Sequence, residues 1–197
     1  MERFEKELKA AEKDLLVYRE KLLQWQKSVN LISNKTAADI WQRHFIDSAR
    51  VFDFIPAVAK TLADFGSGAG FPGMVLAVLN KQRRQLSRIY LIESDLKKCL
   101  FLQEIKRVLA LDAVVILNRR IEETALPDVD VVTARAVGTL WQMLDWGRRI
   151  IRPETTCLFL KGKSVDKELR GLPRVGSVAK IETGEGYVIK MEGVAYE

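Results

Sequence analysis

An open, doubly wound α/β sheet, mostly parallel and preceded by a helical extension, is the fold this sequence predicts from three observations. From residue 61 onward, β-prone runs alternate with helix-periodic segments, which implies parallel strands joined by right-handed crossovers. The first run, Thr61-Leu-Ala-Asp64, leads into Gly66, Gly68, Gly70 and Gly73, and an apolar helix begins near Pro72. Ahead of that run lies a long apolar stripe of helical period. The chain of 197 residues is long enough to bury a full core, and with 48% hydrophobic and 29% charged residues it is not disordered.

The extension comes first in the chain. Phe4, Leu8, Ala11, Leu15, Tyr18, Leu22, Trp25 and Val29 are spaced alternately four and three apart, which is one face of a helix. Such a heptad also suits a coiled-coil seam, but docking on the chain's own domain is the simpler use. Asn30-Leu-Ile-Ser-Asn34 breaks the helix. A second helix is expected over residues 36–54, with Asn34 or Thr36 as its cap. Strand two spans 88–94, and Asp95 caps a helix running to about residue 110. Its members Leu96, Leu100, Phe101, Ile105, Val108 and Leu109 keep a helical period. Strand three spans 114–117 and strand four 129–133; a helix covers 141–150, and strand five 156–160. A short helix and two β-prone runs, 178–182 and 187–191, complete seven strands. Trp25, Trp41, Trp141 and Trp146 sit at helical spacing and read as core. The chain reads as one domain, 1–197, divided into an extension (1–56) and a core (57–197).

Several function classes are excluded. Charges alternate from Glu2 to Asp14, unlike a secretory signal, and no uncharged run reaches membrane-spanning length without glycine or proline. Cys99 and Cys157 stand in apolar settings, too few for a disulfide framework or a metal cluster, so the expected setting is a reducing cytoplasm with no metal. The net charge of +6 hints at an acidic partner. The single histidine, His44, shares a helix face with Arg43, Asp47 and Ser48. Three residues on one face do not converge as a catalytic triad would. A lone His beside Asp is more often a structural hydrogen-bond pair than a catalyst, and the cluster's role stays open between bracing the N-terminal helices against the loop and meeting RNA.

Glycines at alternate positions let the backbone turn tightly and approach a ligand. Gly68-Ala-Gly70-Phe-Pro-Gly73 matches the G-x-G-x-x-G of a dinucleotide fold. The first glycine of that fingerprint, however, belongs at the strand end, where Gly66 already stands. Counted from the strand, Asp64-x-Gly66-x-Gly68-x-Gly70 resembles motif I of class I S-adenosylmethionine (AdoMet)-dependent methyltransferases. Phe71 and Pro72 stand where a pyrophosphate wants free N–H groups, and AdoMet has no phosphate. Ligands of open α/β sheets lie beyond the carboxyl ends of the strands. That edge carries Asp64, Glu93, Arg119, Arg120, Glu122, Arg135, Lys161 and Lys163, with Lys97 and Lys98 just beyond. Glu93 is placed to accept both hydroxyls of a ribose. Ile121-Glu122 could offer an N–H and a carboxylate to an adenine edge, or Glu122-Glu123 could simply begin a helix.

A longer series of motifs then resembles one family in order. It comprises Leu23-x-Trp25, Asn30-Leu31, Arg43-His44-x-x-Asp47-Ser48, the glycine turn, Glu93-x-x-x-Lys97-Lys98-x-x-Phe101-Leu102, Arg120-x-Glu122, Thr133-Ala-Arg135-Ala136 and Leu160-Lys161-Gly162. The series is similar to that of the RsmG (GidB) family, bacterial small-subunit ribosomal RNA guanine-N7 methyltransferases. It covers nearly the whole chain, and the tail after Gly162 matches least. Gln26 departs from the Asn common in the family, and Arg119 from a small residue. The resemblance implies an AdoMet pocket lined by Gly66, Phe71, Ile121, Glu122 and Arg135, with Glu93, Ser94 and Asp95 on the ribose side. Asp64, Ser67, Gly68 and Gly70 complete the binding loop. It implies S-adenosylhomocysteine (AdoHcy) as product, a guanosine of 16S rRNA in the 30S subunit as target, and a monomeric enzyme.

The chemistry fits on independent grounds. Guanine N7 carries an in-plane lone pair and attacks a methylsulfonium without prior deprotonation. Proximity and orientation alone can supply roughly 7–11 kcal/mol. A cytosine-C5 enzyme needs a thiolate, and both cysteines lie in apolar elements. Amino-group methylators typically carry Asn/Asp-Pro-Pro-aromatic after strand four, where Thr133-Ala-Arg135-Ala136 stands here. Arg135 is the expected catalytic residue, holding the cofactor carboxylate or donating to guanine O6. Lys97, Lys98, Arg119, Arg120, Lys161 and Lys163 are expected to meet RNA phosphates. Duplex RNA hides N7 in a narrow groove, so the base should come from a loop or single strand. Two alternatives remain at this level: a class I methyltransferase of a small molecule, and a non-catalytic NAD-binding module.

Overall fold

The computed structural model describes residues 2–33, 39–172, 174–184 and 186–196. The expected caps Asn34 and Thr36 lie outside the described residues. Helix α1 (Glu2–Gln26) buries the predicted stripe against its own domain, with Leu15, Tyr18 and Leu22 fully enclosed. At its end the Gln26 carboxamide accepts the N–H groups of Leu31 and Ile32 at 3.0 Å each and donates to the Ile32 carbonyl at 2.7 Å. The departure at Gln26 thus becomes a clamp that turns the chain.

Next comes α2 (residues 41–54), a composite helix. It opens with a π-helical turn at Trp41–Ile46, continues as α-helix at Asp47–Arg50 and tightens to 3₁₀ at Val51–Phe54. An inserted π turn re-aims side chains, and such turns recur at functional sites. Here it carries Arg43 and His44.

The strands are β1 (Thr61–Phe65), β2 (Arg88–Glu93), β3 (Val114–Asn118), β4 (Val131–Arg135), β5 (Thr156–Lys161), β6 (Val175–Thr183) and β7 (Gly186–Val194). They form one sheet in the order β3-β2-β1-β4-β5-β7-β6, with the first five parallel and β7 antiparallel to both its neighbours. Helices α3 (Gly73–Arg83) and α4 (Leu96–Val108) pack with α1 and α2 on one face, and α5 (Leu140–Trp146) covers the other. Alternation along β1 shows both faces buried: Leu62 faces the first core, Ala63 and Phe65 the second. The strand order reverses between β1 and β4, which opens a crevice above their carboxyl ends.

Two expectations need correction. Strand four begins two residues later than predicted, because the Asp130 N–H donates to the Thr61 hydroxyl at 3.0 Å instead of to a β1 carbonyl. Its Oδ2 accepts the Lys60 and Thr61 N–H groups at 2.7 and 2.8 Å. The shift makes Arg135 the last residue of the strand. Trp141 is not core: a capping box between Thr139 and Gln142 sets the start of α5, Leu140, Met143 and Leu144 take the buried side, and Trp141 is left 51% exposed. On α4, Leu96 and Leu100 face solvent, because Phe101, Leu102 and Ile105 fill the core side.

Candidate active site

The turn after β1 is built by backbone geometry. Gly66, Gly68 and Gly70 have φ of +56°, +55° and +91°, the left-handed region that glycine enters freely. A Cβ on Gly66 would meet the Val137 side chain at 2.8 Å, whereas one on Gly68 would find nothing nearer than 3.7 Å. The turn therefore offers a bare backbone surface to the cleft at Gly68.

Beneath the turn lies Asp64. It is fully buried and its Oδ1 accepts the Thr133 hydroxyl at 2.7 Å. Burial pushes its carboxyl up to about 6, against the pull of the Thr133 hydrogen bond. Asp64 thus braces the loop from below and does not line the cleft. Gly70 rests on α1, where the Tyr18 hydroxyl donates to the Ala69 carbonyl. The sequence placed Tyr18 in the apolar stripe but not its hydroxyl beneath the turn, although a tyrosine in such a stripe needs a partner for that group.

Beside the turn, Glu93 ends β2. Its Oε2 accepts the Gly68 N–H and its Oε1 the Asp95 N–H, both at 2.8 Å. Each carboxylate oxygen keeps a further lone pair for a hydroxyl. Asp95 caps α4 by accepting the Lys97 and Lys98 N–H groups, so its carboxylate supports the loop. Around these elements runs a cleft of about 500 Å³, walled by Gly66, Ser67, Gly68, Phe71, Glu93 and Arg135. A smaller recess of about 260 Å³ continues it past Ser94 and Ile121, and Arg119, Arg120 and Glu122 line that recess. A third hollow of about 230 Å³ adjoins Arg135 on the other side.

The cationic ring is only partly as expected. Lys98 lines the main cleft, while Arg119 and Arg120 reach the recess. Lys97 and Lys163 are exposed. Lys161 is not a free cation: its ammonium donates to the Gly138 carbonyl at 2.8 Å and pairs with Glu168 at 2.9 Å. The partner is seven residues on, in the short helix α6 (Asp166–Leu169), beyond the reach of any local spacing rule.

Arg135 occupies the centre. Its guanidinium lies 4.8 Å from the Phe71 ring centroid and donates to the Arg43 carbonyl at 3.0 Å. Burial brings its pKa down to about 10, opposed by the nearby Tyr18, Asp64 and Asp47, so it stays charged at neutral pH. His44 stacks on Phe71 at 5.0 Å, and neither of its enclosed ring nitrogens has a hydrogen-bond partner. The expected hydrogen bond to Asp47 is therefore absent. Burial first, then Arg135 and Arg43, depress the imidazole pKa to about 3.

That depression has a measurable consequence. The unfolded chain titrates His44 near 6.5, so the stability it confers is present above pH 6.5 and is lost as pH falls toward 3. Asp64, with its raised pKa, works in the opposite sense between about 4 and 6. The difference in unfolding free energy between wild type and His44→Phe isolates the histidine. It is expected to shift against the wild type by up to about 1.4 kcal/mol per pH unit from 6.5 to 4.5. Denaturant titrations across that range check it, and a pH-independent difference would contradict it.

Both cysteines are buried and un-nucleophilic: burial pushes Cys157 up to about 12, and burial together with Glu93 raises Cys99. Among the described residues, no cluster of His, Cys, Asp or Glu could hold a metal ion, and no helix is long and apolar enough to cross a membrane.

Comparison with known proteins places this arrangement. Residues 11–190 match the GidB family, described as rRNA small subunit methyltransferase G. The ribosomal RNA small subunit methyltransferase G of Paramagnetospirillum magneticum is 43% identical over 155 residues, covering 79% of this chain and 73% of the relative. That of Parvibaculum lavamentivorans is 39% identical over 188 residues, covering 91% and 82%. Among solved structures, an SAM-dependent methyltransferase from Aquifex aeolicus aligns with a TM-score of 0.55 and 21% identity, covering 77% of this chain and 90% of the other. TYW2 of M. jannaschii, solved with AdoMet, aligns at 0.56 and 17%, covering 81% and 80%. This likeness concerns the fold, the Rossmann-like α/β architecture of class I methyltransferases.

Proposed function

The chain belongs to the GidB family of small-subunit ribosomal RNA methyltransferases, and from that membership we propose that it methylates N7 of a guanosine in 16S rRNA within the 30S particle, acting as a single chain. Its activity is AdoMet-dependent methyl transfer to ribosomal RNA, which sets aside the NAD-binding module. The choice of N7 rests on one observation: the end of β4 delivers Arg135 to the cleft. A guanidinium has five donors and no acceptor, so it cannot take a proton or hold an amino group. Such a donor suits an acceptor atom that brings its own free lone pair, as guanine N7 does.

The residues present fit the cofactor. Gly68 leaves a backbone surface without a side chain, and Glu93 keeps acceptor capacity for two hydroxyls while its loop-side lone pairs hold the turn rigid. We assign the recess at Ile121 and Glu122 to adenine and the main cleft to the rest of the molecule. When bound, AdoMet supplies an electrophilic methyl on a sulfonium. Phe71 and Ile121 exclude water from that space, and neutral His44 adds no positive charge beside the sulfonium. Arg135 fixes the nucleobase by donating to O6, which leaves N7 as the open acceptor. Catalysis here is positioning, and no side chain needs to remove a proton.

The test is methyl transfer from labelled AdoMet to unmethylated 30S subunits, naked 16S rRNA and small nucleosides, followed by mapping of the labelled base. Label at guanine N7 in 16S rRNA supports the reading; transfer to a different atom, or to metabolites alone, removes it. Lys98 gives a second, narrower check. Lys98→Ala should raise the KM for 30S subunits about three- to tenfold and reduce the salt slope of RNA binding by about one, with kcat unchanged. An unaltered slope would take Lys98 out of the RNA contact.

A further inference from the structure

Cofactor assignment leaves the third hollow, at the carboxyl ends of β4 and β5, without an occupant. It shares a wall with the main cleft through Arg43, Asp47 and Arg135, and its far side includes Thr183 and Tyr187. We propose that this hollow receives the target guanine, extruded from its loop, and that Asp47 determines specificity by accepting the base's N1–H and N2 amino group. The inference rests on the guanine-N7 reading above and names the subsite that reading requires.

Size and charge order both support it. At about 230 Å³ the hollow is several times the ~30 Å³ share of one water, enough for a single base. Guanine presents N7, O6, N1–H and the N2 amino group in sequence along one side. With N7 left open toward the cleft, O6 needs a donor and the next two groups need an acceptor. Arg135 can only donate, and the Asp47 carboxylate can only accept. Both residues stand on the shared wall, and the Asp47 charge is one of those that hold the Arg135 pKa up. Adenine reverses the pattern, putting an amino donor against Arg135 and an acceptor against the carboxylate. Tyr187 supplies aromatic surface, which single-stranded RNA bases use for stacking.

Asp47 is also held in place. It is the first residue after the π turn, its N–H bonds to the Gln42 and His44 carbonyls, and Arg50 lies 3.9 Å from its Oδ1. Across from it is Gly184, where an added Cβ would come within 2.8 Å of the same oxygen. A purely bracing role for Asp47 would fit these contacts too, and the experiment separates the two.

Single-turnover methylation is compared on 30S subunits rebuilt with 16S rRNA bearing guanosine or inosine at the methylated position. Inosine keeps O6 and N1–H but lacks the N2 amino group. Wild type should prefer guanosine about tenfold. Asp47→Asn should lose at least about tenfold in rate on guanosine, keep AdoHcy affinity within about threefold by calorimetry, and shrink the guanosine preference to about twofold. Asp47→Ala, checked by thermal melting, repeats the comparison should the Asn variant fold poorly. If the variants keep the wild-type guanosine preference, whatever their rate, Asp47 only braces and the proposal falls while the N7 reading stands. If wild type makes no N7-methylguanosine in unmodified subunits, the functional reading fails and this inference falls with it.

Discussion

Replacing Arg135 by alanine is expected to lower methyl transfer about 100- to 1000-fold while the protein remains folded. The guanidinium, at the end of β4, lines both the cleft and the adjoining hollow and brings up to five hydrogen-bond donors to them. Losing one such donor, preorganised in a water-poor site, typically costs about 3–4 kcal/mol of transition-state stabilisation. The fold loses less: a contact with Phe71 and one hydrogen bond to the Arg43 carbonyl, against a core that is otherwise intact. Arg135→Lys keeps the charge but not the planar fork, and should recover only part of the rate. Rates on 30S subunits, with thermal melts of each variant, decide the point. An alanine variant with wild-type turnover would remove Arg135 from the reaction.

How far residues alone carried the fold depends on how local the deciding forces are. The α1 stripe was legible because it was set by spacing within one helix, and the structure buries Leu15, Tyr18 and Leu22 as the spacing demands. Glu93 was legible because a charged residue after Tyr90-Leu91-Ile92 must end a buried strand at the functional edge. Strand four was misplaced because Val129 and Val131 look alike locally. What diverts Asp130 from β1 pairing is its hydrogen bonding with Lys60 and Thr61, some seventy residues earlier in the chain.

The site's chemistry was less legible where a side chain answers to a distant partner. Lys161 looked free at a strand end, but Glu168 and the Gly138 carbonyl take up its ammonium. His44 looked like a hydrogen-bonding neighbour of Asp47 on an ordinary helix. The π turn shifts the helical register by a residue, so the imidazole stacks on Phe71 and its nitrogens stay unpartnered. Helical period cannot reveal a π turn, because Trp41-Gln-Arg-His-Phe-Ile46 is compatible with either winding.

Gly70→Ala is the other substitution expected to act strongly, and it separates two duties of the glycine turn. Its φ of +91° disfavours any side chain, and a Cβ there would strike the Tyr18 hydroxyl and approach Met74 Cβ to 2.7 Å. Tyr18 is fully buried and hydrogen-bonded to the Ala69 carbonyl, so it has no free space to enter. Left-handed strain and overpacking together should cost about 2–4 kcal/mol. Because the same turn carries Gly68, whose N–H is fixed by Glu93, AdoHcy affinity should fall at least about 100-fold. Gly68→Ala is the control: its φ is similarly left-handed, but the added methyl meets nothing within 3.7 Å. It should cost only about 1–2 kcal/mol, yet still weaken AdoHcy binding, because the methyl projects from the surface assigned to the cofactor. Denaturant melts and calorimetry on both variants test this pairing. If Gly70→Ala melted with the wild type, the coupling between α1 and the turn would be wrong. If Gly68→Ala bound AdoHcy normally, the cofactor would lie elsewhere.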